Sequence, residues 1–358
     1  MKKLTALALS TVMAMGLLAG CGSAGGSTTA GGSTTAAGSP AADGAAGEAA
    51  AEAKDVFWTF AAPPASSALY PYWVSVGQAI STVYPQYKIT TSESQGAVAI
   101  TKSVRGGEAD VGNSVSSTDY ENYNGTGTFE GQPFKELRML FYYEVTAEMF
   151  CTTQASGITS LKDLDGQKFN PGGTGTSAAD LCHKILDLFD VQPDYFEASQ
   201  ADAADAYSNR EIVGTIKLGP VVDSYVMQLN AAVPVNLINL SDDEIAKIIE
   251  AYPFLIKVTI PAGTYDGIDH DINTVGTPQG AQTTASLSQQ DGYNIVKAMF
   301  EDGKSIWQAA YPSGAENDYV SMTLASTVPL HAGTVQYFVE QGIEVPENLI
   351  PPEYVPVQ

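Results

Sequence analysis

An α/β fold in two lobes, with mixed and mainly parallel sheets, is what this 358-residue sequence predicts. Strand-like runs alternate with helical apolar stripes along everything after residue 54, the alternation that builds parallel sheets with binding loops at strand ends. The stretch from there to the end is long enough for two lobes of ordinary domain size. No internal repeat interrupts the pattern.

The elements follow in chain order. Lys2 and Lys3 precede an apolar run from Leu4 to Leu18 that closes on Leu18-Ala19-Gly20-Cys21. A basic start, a short apolar run and a small-residue site mark an export leader, whereas a bilayer span needs ~20 apolar residues. The pattern resembles a lipobox, so residues 1–20 are expected to be removed and Cys21 to carry a lipid. Residues 21–54 are almost only Gly, Ala, Ser and Thr, with Asp43, Glu48 and Glu52 near the end. Such a composition cannot bury a core and is expected to act as a disordered tether, with a typical reach of ~30 Å.

After the tether, residues 55–61 (DVFWTFA) read as a strand, and Trp73, Gly77, Ile80 and Tyr84 follow at helical spacing. Residues 87–92 read as a second strand and 98–104 as a helix. GGEADVGN, residues 106–113, is a turn entering a short strand. Further on, Leu181, Ile185, Leu188 and Phe189 form an apolar stripe behind a Gly/Thr-rich turn. Ser241 and Glu244 form a capping box ahead of Ile245, Ile248 and Ile249, and Tyr293, Val296 and Phe300 mark a late helix.

Composition excludes several function classes. The formal charge is −23, and loss of Lys2 and Lys3 with the leader makes it more negative still. So acidic a surface opposes nucleic acid, whose phosphates need clustered Lys and Arg, and opposes lying flat on anionic lipid. Cys151 and Cys182, the cysteines besides Cys21, could pair in an oxidising compartment, although two free buried thiols are the preferred reading. HExxH, GxSxG and GxxxxGK[ST] are absent, and His183, His270 and His331 are far apart in sequence. Asp269-His270-Asp271 reads as a solvated turn rather than a metal site. No enzyme activity, metal or cofactor is expected.

Several stretches resemble one family in joint order and spacing. They are RGGEADVGN (residues 105–113), YNGTGTF (123–129), GITSLKDLDGQKF (157–169), GGTGTS (172–177), YPFLIKVTIPAGTYDGIDHDINTVGTP (252–278) and PLHAG (329–333). From Phe57 to about Gly342 the chain resembles the TAXI receptors, extracytoplasmic solute-binding subunits of a class of tripartite ATP-independent periplasmic (TRAP) transporters. The resemblance implies a two-lobed periplasmic-binding-protein-like fold of type II, closing about a hinge. Residues 55–148 with 280–358 would form one lobe and 149–279 the other. It also implies a polytopic membrane permease as partner and an extracytoplasmic place, lipid-anchored to the cell membrane. The chain departs from the family's usual glycine-rich first loop, reading AAPPASSALYP at 61–71.

Candidate ligand contacts follow from the loops. Gly173, Thr174, Gly175, Thr176 and Ser177 open the helix carrying Leu181, and open N–H groups at a helix start attract a carboxylate. Family-like loops would add Ser66, Ser67, Tyr70, Gln95, Asn113 and Ser114, whose short hydroxyls and amides can satisfy ligand oxygens. Lys217, in VGTIKLGP, could neutralise a carboxylate, while Tyr142, Tyr143 and Glu144 offer an aromatic face and an acceptor for an ammonium group. The solute would then be small and polar, carrying a carboxylate. A sensor subunit for a membrane signalling partner, or a surface adhesin, are the alternative roles.

Overall fold

The computed structural model describes residues 54–65, 67, 69–315 and 317–357. The leader, Cys21 and the tether up to residue 53 lie outside them, as does Ser66. The chain runs β1 (Val56–Ala62), α1 (Tyr70–Val83), β2 (Tyr87–Glu93), α2 (Ala97–Gly106), β3 (Val111–Val115), α3 (Ser116–Asn124) and β4 (Leu137–Thr153). It continues with β5 (Lys168–Asn170), α4 (Ser177–Leu188), β6 (Asp194–Tyr195), α5 (Gln200–Ser208), β7 (Gly214–Gly219), α6 (Ser224–Ala232), β8 (Val235–Leu237), α7 (Asp242–Ala251) and β9 (Ile256–Ile260). The return strand β10 (Ile272–Thr284) leads to α8 (Gln289–Lys297), α9 (Lys304–Ala310), α10 (Tyr319–Leu324) and α11 (Ala332–Glu340).

Local chemistry accounts for the boundaries. Pro71 opens α1, where a missing N–H costs nothing. Gly107, at φ 75°, ends α2 in the left-handed conformation that the GG pair supplies. The Ser241/Glu244 capping box forms as expected, with the Glu244 carboxylate 2.8 Å from the Ser241 N–H. The late helix extends beyond Lys297 through a π-helical turn at Ala298–Asp302.

Sheet order is β2-β1-β3-β10-β4-β7-β5-β6, with β8 beside β4 and β9 beside β10. The α/β class is as predicted, but the expectation of mainly parallel pairing needs correction. Parallel pairing joins β1 to β2 and β3, and β5 to β6 and β7. β10 runs antiparallel to β3, β4 and β9, and β4 antiparallel to β7 and β8. The reason is directional: β4 leaves the first half of the chain and β10 comes back beside it, so their neighbours inherit opposite senses.

These two long strands join separate cores. One core holds Trp58, Phe60, Trp73, Phe141, Tyr142 and Ala281 with Trp307 and Phe338 from the C-terminal helices. Beyond residue 147, alternate residues of β4 enter two further cores: Met149 and Cys151 pack on one face, Phe150 on the other. This is the pattern of a strand buried on both faces. Along the 17 residues of β4 only Val145 and Thr146 are half-buried. That short wet interval, where the strand passes between cores, locates the cleft. Cys151 and Cys182 are both buried and unpaired.

Candidate functional site

Two cavities meet over β4 and β10. The first, about 770 Å³, lies against Glu144, Val145, Lys217, Val221, Val258 and Asn317; the second, about 680 Å³, lies against Thr118, Thr174, Ser177, His183, Glu197 and Phe254. Thr146, Leu218 and Gln279 line both, so the two are compartments of one cleft. β4 and β10 build its floor by register. Glu144 lies opposite Gln279 and Thr146 opposite Thr277, and side chains two apart share a face. A bulge between Gln279 and Gly280 adds Tyr143 to β4 and sets the direction of Glu144.

The predicted residues divide between wall and support. Thr174, Gly175, Thr176 and Ser177 line the second compartment, with Gly173 beside them in the loop. Thr176 is the N-cap of α4: its hydroxyl accepts from the Ala179 N–H at 3.2 Å and donates to the Gly173 carbonyl at 2.7 Å. The N–H groups of Ser177 and Ala178 are those a helix start leaves open. Thr174 donates to Glu197, whose other oxygen is 3.7 Å from His183 Nε2, so acidic groups also edge this compartment.

Lys217 lines the first compartment and is not a solvated surface lysine. Its ammonium is 3.5 Å from the Asp223 carboxylate, with the side chains 15% and 7% exposed. Asp223 also accepts from the N–H groups of Tyr225 and Val226, capping α6, which explains why the carboxylate stays buried. Glu144 is 6% exposed. Burial raises its carboxyl above the ordinary range, against a hydrogen bond from Tyr311 that lowers it.

Asn113, Ser114 and Tyr143 lie beneath the cleft. Asn113 Oδ1 accepts from Trp73 Nε1 at 2.9 Å and from the Tyr143 hydroxyl at 2.7 Å, while Ser114 donates to Asp119. Ser67 closes the turn before α1, accepting from the Leu69 N–H at 3.2 Å, and Tyr70 packs on the first core. Leu69 between them lines the first compartment. Gln95 is exposed and lines neither.

Sequence reasoning missed Tyr311, Asn317, Asp318, Gln279, Thr118 and Thr277. Asp318 had a readable signal, a helix N-cap three residues before Ser321. For the others only the convergence of distant segments assigns a place. It also missed Glu148, fully buried in β4 two residues beyond Thr146, with neither carboxylate oxygen hydrogen-bonded among the described residues. Burial pushes its carboxyl well up. Glu148→Met should therefore raise stability by about 1 to 3 kcal/mol at neutral pH, because an unpaired polar group is exchanged for an apolar one of similar length. Urea unfolding checks this, and a loss of stability would show that the carboxyl is compensated.

Comparison with known proteins adds a family and a fold. The model of the NMT1-like family matches residues 60–342. A TctC solute binding protein from Polaromonas superposes with a TM-score of 0.52 at 13% identity, over 74% of this chain and 90% of that one. The probable amino-acid ABC transporter extracellular-binding protein YtmK from Bacillus subtilis gives 0.45 at 11% identity, over 74% and 100%. A TRAP periplasmic solute binding protein from Marinobacter aquaeolei VT8, in an apo open structure, gives 0.41 at 12%, over 82% and 89%. The fold shared with the first is the α/β type II arrangement of periplasmic binding proteins.

Proposed function

We propose that this chain, which belongs to the NMT1-like family, is an extracytoplasmic solute-binding protein of the TAXI type, delivering a small polar, carboxylate-bearing solute to a polytopic TRAP permease. The observation that carries the reading is the cleft itself, two polar-edged compartments over the wet interval of β4. Residues 55–148 with 280–358 form one lobe in this reading and 149–279 the other. β4 and β10 are then the crossing strands about which they close. The carboxylate would be held by Lys217 and the Gly173–Ser177 loop, with Ser67, Tyr70, Asn113, Ser114 and Tyr143 supporting the opposite wall from beneath, and Gln95, which lines neither compartment, left out of the set. Enclosure by closing lobes supports binding without catalysis, and no cofactor enters the reading.

A thermal-shift screen of the full chain against amino acids, keto acids and dicarboxylates tests it. A ligand selective for the folded state adds about 2.7 kcal/mol of stability at a hundredfold excess over Kd. Flat melting curves across the panel would remove the reading.

Two substitutions order the carboxylate contacts. Lys217→Met should weaken the hit by ~2 to 5 kcal/mol, since it leaves a ligand charge uncompensated, and Thr176→Ala by only ~0.5 to 1.5 kcal/mol. Calorimetric titration reads both, and parent-like affinity of Lys217→Met would move the carboxylate elsewhere. For the lipid anchor, Cys21→Ser should shift the protein from the membrane to the soluble fraction. If the variant still pellets, Cys21 is not the anchor.

A further inference from the structure

We infer that the first compartment takes an organic ammonium group, with Glu144 as its counter-ion, so that the solute carries a cationic nitrogen on an aliphatic body. The inference rests on the cleft being a solute site and names the class of solute.

Glu144 is a nearly buried carboxyl whose remaining surface opens to a cavity of about 770 Å³. Its hydrogen bond comes from Tyr311, a neutral donor. Among the described residues no lysine, arginine or histidine forms an ion pair with it. The two lysines on the compartment wall are committed elsewhere: Lys217 to Asp223, and Lys257 to Asp242 at 2.7 Å. A buried carboxylate without a cation is costly, and a ligand ammonium would remove that cost.

Three further features fit the same occupant. Gln279, opposite Glu144 on β10, makes no side-chain hydrogen bond among the described residues, so its amide oxygen is available to an N–H donor. Asp318 adds a second carboxylate at the compartment, and its bonds from Ser321 hold its carboxyl below the usual range and therefore ionised. Tyr311 presents an aromatic ring, which attracts a cation as well. The rest of the wall includes Leu69, Val145, Val221, Val258 and Met322, a surface that matches an aliphatic body rather than a polyol. An anion placed here would face two carboxylates. A carboxylate on the same solute would instead point toward the Gly173–Ser177 loop and the open N–H groups at the start of α4, in the second compartment.

The test uses matched sets on short aliphatic skeletons: L-leucine, isoamylamine (the same skeleton without the carboxylate) and isocaproate (without the amine), with the norvaline and norleucine sets beside them. Titration of the full chain should find the ammonium-bearing members binding at least about tenfold tighter than their deaminated counterparts. Glu144→Gln, nearly isosteric, should abolish that preference by weakening the ammonium-bearing members, and Glu144→Asp should retain it. Parent-like binding of ammonium compounds by Glu144→Gln, or equal or tighter binding of the deaminated members, overturns the inference while the cleft remains a solute site. Failure of every set overturns it too, and the broader screen above then decides whether the binder reading falls with it.

Discussion

Gly333→Ala should cost about 3 kcal/mol or more of stability, the upper end of what overpacking does. A Cβ at this position would lie 2.1 Å from the Tyr293 nitrogen, 2.4 Å from the Gln289 carbonyl oxygen and 2.5 Å from the Gly292 carbonyl carbon. All three are backbone atoms of α8, so no side chain can rotate away and α8 and α11 must separate. The contact is reciprocal, since a Cβ on Gly292 would come within 2.0 Å of His331 Nδ1. His331 is itself fixed: Nδ1 accepts from the Gly333 N–H at 3.1 Å and Nε2 faces the Leu287 carbonyl at 2.9 Å. Burial lowers its pKa, which keeps the ring neutral and able to play both roles. The PLHAG stretch is thus a helix-to-helix contact with a neutral histidine cap. Gly106→Ala serves as the control, because its Cβ meets nothing nearer than 3.9 Å, and gains about 0.4 to 1 kcal/mol if its backbone is compatible. Urea denaturation of both variants decides the matter. A loss below about 0.5 kcal/mol in Gly333→Ala would mean that the helices part easily.

The second large effect is a fall in stability with rising pH that Asp119 causes. This carboxyl is fully buried in α3, accepts a hydrogen bond from Ser114 and leaves Oδ1 without a partner among the described residues. Burial pushes its pKa up to about 7, from the ordinary aspartate value of 3.8. Between those values the folded protein binds a proton that the unfolded chain has released. Stability therefore falls as pH rises through this window, by up to about 1.4 kcal/mol per unit, and levels off above the folded value. The contribution is fully present only below the unfolded pKa. Glu144 and Glu148, also raised by burial, slope the same way, so the variant Asp119→Asn is needed to isolate one group. From about pH 5 to about pH 7 the variant should gain roughly 2 to 3 kcal/mol relative to the parent. Parallel stability curves for the two proteins would show that Asp119 does not titrate in this range.

Sequence and structure divide the work unevenly. Periodicity and caps sufficed for β1, α1, β2, α2 and α7, because each is set by neighbours a few residues apart: Pro71 at one start, Gly107 at one end, the Ser241/Glu244 box at another. The α/β class followed from their alternation. That the Gly173–Ser177 stretch opens a helix was legible for the same reason, while its capping by Thr176 came from the structure. Pairing sense was not legible, since the antiparallel β4/β10 pair joins segments more than a hundred residues apart and no local signal records which strand will lie beside another. The cleft has the same origin. Glu144, Gln279, Tyr311 and Asn317 come from β4, β10 and the loop before α10, and only packing makes them neighbours. Tertiary structure also decided that Asn113 and Tyr143 bond to each other beneath the floor and that Lys217 already holds Asp223. Sequence alone states which polar groups exist and which helix starts they cap. Which of them face water and which face one another depends on burial, a property of the folded whole.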